Sequence, residues 1–153
     1  MRADERYIHS SKTLYNEHMN LKTLTGREYT ALCREIWREE NVRCFNSRLL
    51  RCPFFAISDM HFGALHEPLE KSARDLITIN QNCWNTIQAL RETIVHEMVH
   101  QEQHQHKSKY INAEHHGRFF RRRALEILQI TGFDVVAMYP QKGTPGFFRT
   151  IQP

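Results

Sequence analysis

The sequence predicts an α+β fold in which helices pack on a small antiparallel or mixed sheet. Three segments repeat apolar residues at helical spacing, and short apolar or β-branched runs between the first two are typical of strands. Apolar residues make up 41% of the 153-residue chain, and charged residues make up 25%. These values are typical of one globular domain with a real core.

The first helix is predicted over residues 25–40. Thr25 is a typical N-cap, and Glu28, three residues later, completes a capping box. Asn41 is predicted to end the helix. The apolar positions follow a 3.6-residue period, at Tyr29, Leu32, Cys33, Ile36 and Trp37.

Strands are predicted between residues 42 and 80. Phe54–Ile57 is an apolar run that follows Pro53, and residues 75–80 alternate with β-branched side chains. The stretch 61–65 lies between them and ends before Pro68. Together these segments predict two or three strands with short connections.

Two further helices are predicted downstream. Thr86 is an N-cap for a helix that continues through residues 96–100, and the polar run 101–110 is interpreted as a fraying helix end or a loop. The last helix begins near His116 and Gly117. Gly132 is typical of the position that follows a helix and ends it.

The domain organisation follows from these elements. Residues 1–24 are predicted to form an N-terminal arm or short helix, and residues 25–139 a single domain whose last strand lies at 133–139. Residues 140–153 are predicted to be an irregular tail. We find no internal repeat or low-complexity tract.

Composition limits the function classes. Lysine and arginine total 21 against 17 acidic residues, a mild excess that permits contact with nucleic acid without requiring it. The four cysteines form no CxxC pair and are interpreted as free thiols in a reducing compartment. No apolar run long enough to span a membrane and no signal segment is present, so we expect a cytoplasmic protein without membrane contact.

The segment His-Glu-Met-Val-His at residues 96–100 is the strongest functional pattern. Residues four apart lie on one face of a helix, so His96 and His100 can direct two imidazole nitrogens at one metal ion. Glu97 is then close enough to hold a water on that metal. This is the HExxH arrangement of zinc hydrolases.

A hydrolytic zinc site needs a third protein ligand and keeps one position open for water. His104 would stack one turn beyond His100, and three ligands in one line along a helix cannot form a tetrahedron. A residue from another element is therefore better placed, and His115 and His116 lie at the start of the next helix. The downstream candidates are His104, His106, Glu114, His115 and His116.

Residues 94–100 and 116–120 resemble the SprT-like (Spartan-type) zinc metalloprotease domain. That family has an HExxH helix, a variable loop and a second helix that opens with a His-Gly pair followed by Phe, here at His116, Gly117 and Phe120. The resemblance covers roughly residues 25–132. It implies a zincin-like fold, one Zn²⁺ ion held by His96, His100 and His116, and peptide-bond hydrolysis by a zinc-activated water.

Several roles follow for other residues. Glu97 would be the general base that takes the proton of the attacking water. His115, Tyr139 and Tyr110 are candidates for a donor that stabilises the oxyanion. Arg118, Arg121 and Arg122, with Arg123 beside them, are either a solvated helix face or a phosphate-contacting patch.

The remaining histidines are interpreted as structural or surface residues. His61 and His66 fall in this group, and His104 and His106 are assigned to a solvated loop.

Three function classes remain at the level of sequence: a peptidase, a non-catalytic binding protein, and a DNA-binding protein that uses the arginine-bearing helix. The resemblance implies protein or peptide substrates, including DNA-associated proteins. The alternative is a non-catalytic zinc-containing binding or inhibitor protein that docks on a partner protein or nucleic acid. Glu97 argues against the alternative, since a purely structural zinc site needs no base there.

Overall fold

The computed structural model of the chain describes residues 18–59, 63–69, 74–106 and 116–133. Within them the chain forms three α-helices, a three-stranded sheet and two short 3-10 turns, at Leu21–Thr23 and Gln81–Cys83. The prediction of an α+β fold is confirmed. The elements in order are α1 (Gly26–Phe45), β1 (Phe54–Ile57), β2 (Ala64–Glu67), β3 (Leu76–Ile79), α2 (Ile87–Gln105) and α3 (Arg118–Thr131).

The sheet is mixed. Its strand order is β1-β3-β2, with β1 parallel to β3 and β2 antiparallel to β3. Among the described strands the last in sequence, β3, is therefore the central strand, and β2 lies at an edge. In the antiparallel pair His66 lies opposite Ile77, and Glu67 lies opposite Leu76.

The start of α1 was predicted correctly, and its end was not. Thr25 is the N-cap, and the capping box with Glu28 is complete. The helix continues past Asn41 and ends at Asn46, which adopts the left-handed conformation with φ 50° and ψ 41°. Asn41 is buried within the helix, where its side-chain amide donates to the Leu49 carbonyl (3.0 Å) and accepts from the Leu49 N–H (3.1 Å).

Helix α2 begins after Thr86, whose hydroxyl accepts a hydrogen bond from the Ala89 N–H, as a predicted N-cap should. A fraying end or loop was predicted from residue 101, but α2 continues in regular form to Gln105, so the prediction is wrong for residues 101–105. Gln101 is buried, accepts a hydrogen bond from the Trp37 indole (2.9 Å) and donates one to the Arg51 carbonyl (2.8 Å). Polar side chains continue this helix because α1 and the loop after it provide their partners.

Helix α3 agrees with the prediction at both ends. Gly117 is its N-cap residue, and Gly132 closes it at φ 73°, a conformation that glycine adopts without steric cost. The face turned inward carries Phe120, Ala124 and Ile127, all fully buried.

The core lies between the three helices and the sheet, which α1 and α2 contact directly. α2 packs on α1, α3 and β2, while α1 also packs on β1 and α3. Cys33, Cys44, Cys52 and Cys83 are free thiols, as predicted, and all except the half-buried Cys52 are buried. The largest fully buried apolar side chains include Tyr29, Phe45, Phe120, Leu32, Ile36, Ile77, Ile79, Leu90, Ile94 and Met98.

Several predictions fall outside the described residues. They are most of the predicted N-terminal arm, the role of His61, the predicted last strand apart from Phe133, which is not in a strand, and the predicted tail at 140–153. No helix in the described segments is long and apolar enough to cross a membrane.

Candidate functional site

The structure brings the three predicted metal ligands together. His96 and His100 lie one turn apart on α2, and His116 lies just before α3. The Nε2 atom of His116 is 3.1 Å from Nε2 of His96 and 3.1 Å from Nε2 of His100. One ligand atom from each residue falls within 4.8 Å of the others, so the three histidines could hold a metal ion.

Phe120 supports all three imidazole rings. It lies in the first turn of α3 and is fully buried, with its ring centroid 4.8 Å from that of His96, 4.7 Å from that of His100 and 4.8 Å from that of His116. The Phe that follows the His-Gly pair in the sequence thus packs against all three histidines of the cluster.

The orientation of His100 is set by a second hydrogen bond. Its Nδ1 lies 3.1 Å from the Oε1 atom of Gln103. An amide oxygen can only accept, so Nδ1 carries the proton and Nε2 presents a lone pair towards His96 and His116. Such an outer partner fixes the tautomer that a metal ligand requires.

The cluster has the chemistry of a cation site. A neutral imidazole carries one N–H, so a proton on Nε2 of His116 can point at only one of its two neighbours. The other contact at 3.1 Å then has no hydrogen bond along it. A metal ion between the three nitrogens can accept one lone pair from each of them, and the donor set therefore fits a metal.

Glu97 directly follows His96 on α2 and is buried, with 6% of its surface exposed. Burial raises the pKa of its carboxyl group to about 8, and a hydrogen bond donated by the main-chain N–H of His66 opposes that rise. The charged carboxylate is thus disfavoured by desolvation in the metal-free chain.

A second cluster adjoins the site and was missed in the sequence. Nε2 of His66 is 2.8 Å from Oδ2 of Asp75, and Nε2 of His104 is 4.0 Å from Oδ1 of the same carboxylate. His104 is part of α2, and its assignment to a solvated loop is wrong because the helix continues through it. The spacing of four residues between His100 and His104 could have predicted that His104 lies on the same helix face, whereas nothing in the sequence connected Asp75 with His66.

The arginines of α3 divide into two groups. Arg118, Arg121 and Arg122 are exposed, as a solvated or phosphate-contacting face requires. Arg123 is 7% exposed and donates to Glu102 at 2.8 Å, so grouping it with the other three was wrong. Its side chain points between α2 and α3 because that position falls on the buried stripe of the helix.

The candidates for an oxyanion donor, His115, Tyr110 and Tyr139, lie outside the described residues. Comparison of the chain with protein-family models and with curated proteins finds no match. The fold and the site together describe an α+β protein with a three-histidine cluster that could hold a metal ion.

Proposed function

We propose that the protein is a zinc-dependent metallopeptidase of the SprT-like, zincin-like class that hydrolyses peptide bonds. The observation that carries this proposal is the convergence of His96, His100 and His116 on one point, next to the buried carboxyl of Glu97. A site that only stabilises the fold has no use for a carboxyl group in that place.

Zinc is the proposed metal because of the donors and their spacing. Neutral imidazole suits zinc, whereas Mg²⁺ and Ca²⁺ take oxygen ligands. Zinc–nitrogen bonds of about 2.0–2.1 Å in a tetrahedron separate the nitrogens by about 3.3 Å. The two Nε2 distances of 3.1 Å lie close to that value without any movement of the helices.

The proposed chemistry divides between the ion and the chain. Bound zinc would supply a Lewis acid that activates water and polarises the scissile carbonyl. Glu97 takes a proton from the attacking water and delivers it to the leaving amine. A carboxylate has two oxygens, so the hydrogen bond from the His66 N–H leaves one free for this proton.

The substrates proposed are proteins or peptides, including proteins bound to DNA. The association with DNA is supported by the exposed position of Arg118, Arg121 and Arg122 on one helix. Guanidinium groups on an exposed face can bind phosphates without reading base sequence.

The first experiment measures zinc content and hydrolysis of an unfolded protein substrate in parallel. We expect about one zinc per chain in the wild type and in Glu97→Gln, with hydrolysis by the variant reduced at least about 100-fold. Equal activity in the two proteins would exclude Glu97 as the base. An inactive wild type whose zinc has four protein ligands would support the non-catalytic binding protein instead.

The ligand assignment is tested by metal content alone. His116→Ala should lower bound zinc far more than His115→Ala, because His116 directs Nε2 at both helix ligands. His106→Ala is the matched control, since His106 caps the end of α2 outside the cluster. Greater loss of zinc in His115→Ala would move the third ligand to that residue.

A further inference from the structure

Glu97 is held by an edge strand. The main-chain N–H of His66 in β2 donates a hydrogen bond to the Glu97 carboxylate on α2. In the described sheet β2 pairs with β3 on one side, so this N–H belongs to its other side, which faces α2. The position of β2 relative to α2 therefore decides whether the carboxylate keeps this partner.

The Asp75 side chain binds the imidazole of His66, the residue whose N–H holds Glu97. Its Oδ2 lies 2.8 Å from Nε2 of His66, and the two side chains are only 15% and 5% exposed. Its own carbonyl accepts a hydrogen bond from the Phe54 N–H at 2.8 Å. Asp75 thus sits at the start of the central strand, joined to β1 by its main chain and to β2 by its side chain.

The carboxylate of Asp75 also reaches α2. Nε2 of His104 lies 4.0 Å from its Oδ1. His104 follows Glu97 by seven residues, or two helical turns, so both side chains leave the same face of α2. Asp75 consequently joins β2 and α2 at a second point, on the side of the helix where Glu97 meets His66.

We propose that Asp75 is a positioning residue for Glu97. By binding the His66 side chain, with His104 as a second contact, it keeps β2 at the distance from α2 at which the His66 N–H holds the carboxylate. That Glu97 is the general base rests on the proposed function, whereas the hydrogen bond and its dependence on Asp75 do not.

The physical reason lies in the weak attachment of a short edge strand. β2 contains four residues and has strand hydrogen bonds along one side in the described sheet. A small shift of such a strand lengthens a hydrogen bond on its outer side before the pairing with β3 is lost. A bond between imidazole and carboxylate that is shielded from water resists that shift more strongly than a bond between neutral groups.

The decisive experiment follows the His66 amide in the full-length chain by NMR, with and without zinc. In Asp75→Ala we expect the His66 amide proton to exchange with solvent at least about 10-fold faster, while the amides of β3 exchange as in the wild type. Asp75→Asn keeps an oxygen that can accept from His66 and should give a smaller effect. Asp59→Ala is the matched control, because Asp59 is an exposed carboxylate that accepts a hydrogen bond from the Asn82 side chain (3.2 Å).

A second readout uses the zinc-loaded protein. If the proposed peptidase activity is present, Asp75→Ala should lower kcat about 10-fold and leave KM and zinc affinity within about 3-fold of the wild type. His66→Gln retains a side-chain donor for Asp75 and should lose less activity than His66→Ala. A fall in zinc affinity as large as the fall in kcat would overturn the positioning role, since Asp75 would then act on the metal ligands.

The two proposals fail in different ways. An unchanged His66 amide in Asp75→Ala overturns the positioning role even if the protein is an active peptidase. A wild type that hydrolyses nothing overturns the proposed function, and faster exchange at His66 in the variant would still support the dependence of this bond on Asp75. If Asp75→Ala does not fold, Asp75→Asn carries the test with a smaller expected effect, because a neutral amide binds His66 more weakly than a carboxylate, and a His66 amide identical to the wild type in that variant overturns the proposal.

Discussion

Nε of Arg123 donates a hydrogen bond to Oε2 of Glu102 across the contact between α3 and α2, at 2.8 Å and with both side chains buried. Arg123 also donates to Glu126 and, at 3.3 Å, to the carbonyl of Cys44 in α1. Glu102 follows His100 of the three-histidine cluster by two residues. The pair therefore fixes α3, and with it the preceding His116, against the helix that carries the other two histidines.

Replacing Arg123 by alanine should destabilise the protein strongly. The change leaves Glu102 buried beside the half-exposed Arg48 at 3.6 Å, and loss of one member of a buried pair costs about 3–5 kcal/mol. Urea unfolding with a fixed slope measures the loss. The control is Arg122→Ala, whose side chain is 65% exposed and which should change stability by less than about 0.5 kcal/mol. Equal effects of the two changes would contradict the structural role of Arg123.

Replacing Phe120 should weaken metal binding as well as the fold. Phe120→Ala removes the surface against which all three imidazoles rest, and the cavity should cost about 3–5 kcal/mol of stability. Chelator competition should show zinc affinity at least about 10-fold lower. Leu125→Ala on the same helix is the control, because Leu125 is 53% exposed. Zinc affinity that stays at the wild-type value in Phe120→Ala would show that the rings are oriented without it.

The stability of the metal-free chain should depend on pH through Glu97. Its pKa of about 8 in the folded chain exceeds the value of about 4.3 for an unfolded glutamate. The folded state therefore binds the proton more tightly, and the stability from this group is present below about pH 4 and is lost as pH rises towards 8. Glu97→Gln does not titrate and should gain stability over the wild type by more than about 1 kcal/mol across that range.

Thermal unfolding of chelator-treated protein at several pH values measures this difference. Protonation of the histidines contributes to both curves, so the measured quantity is the difference in stability between the two proteins at each pH. Added zinc should reduce the advantage of Glu97→Gln, since a nearby cation stabilises the carboxylate. Parallel stability curves for the two metal-free proteins would show that Glu97 does not carry a raised pKa.

DNA binding, if the exposed face of α3 provides it, should depend steeply on salt. Replacing Arg118, Arg121 and Arg122 together by alanine should lower affinity for all sequences alike and reduce the slope of log affinity against log salt by about 3. The matched control replaces three exposed cations elsewhere, at Lys22, Arg27 and Arg38. An absence of binding by the wild type at low salt would remove DNA from the proposed partners.

The helix boundaries show which structural features can be predicted from local sequence. Thr25 with Glu28, Thr86 and Gly132 mark helix ends through hydrogen bonds or backbone conformations within a few residues, and all appear as predicted. Asn41 and residues 101–105 were predicted wrongly because their partners are not local. Asn41 binds the main chain of Leu49, and Gln101 binds Trp37, 64 positions away.

The burial of charge shows the same limit. Glu40 is fully buried in α1 and accepts a hydrogen bond from Arg91 on α2 at 2.6 Å. The sequence around Glu40 does not predict its burial. The free-energy cost of burying this carboxylate depends on Arg91, which the fold brings from 51 positions away. The strand order likewise cannot be predicted from local sequence, because β3 lies between two strands that precede it in the chain.

By itself the sequence determined the α+β class, most helix starts and the pair of histidines one turn apart, because each depends on periodicity or on contacts within one element. Only the tertiary structure decided that His116 meets this pair, that Phe120 supports the rings, and that Asp75, His66 and His104 gather beside Glu97. These residues belong to separate elements, and packing of the helices on the edge of the sheet is what brings them within contact.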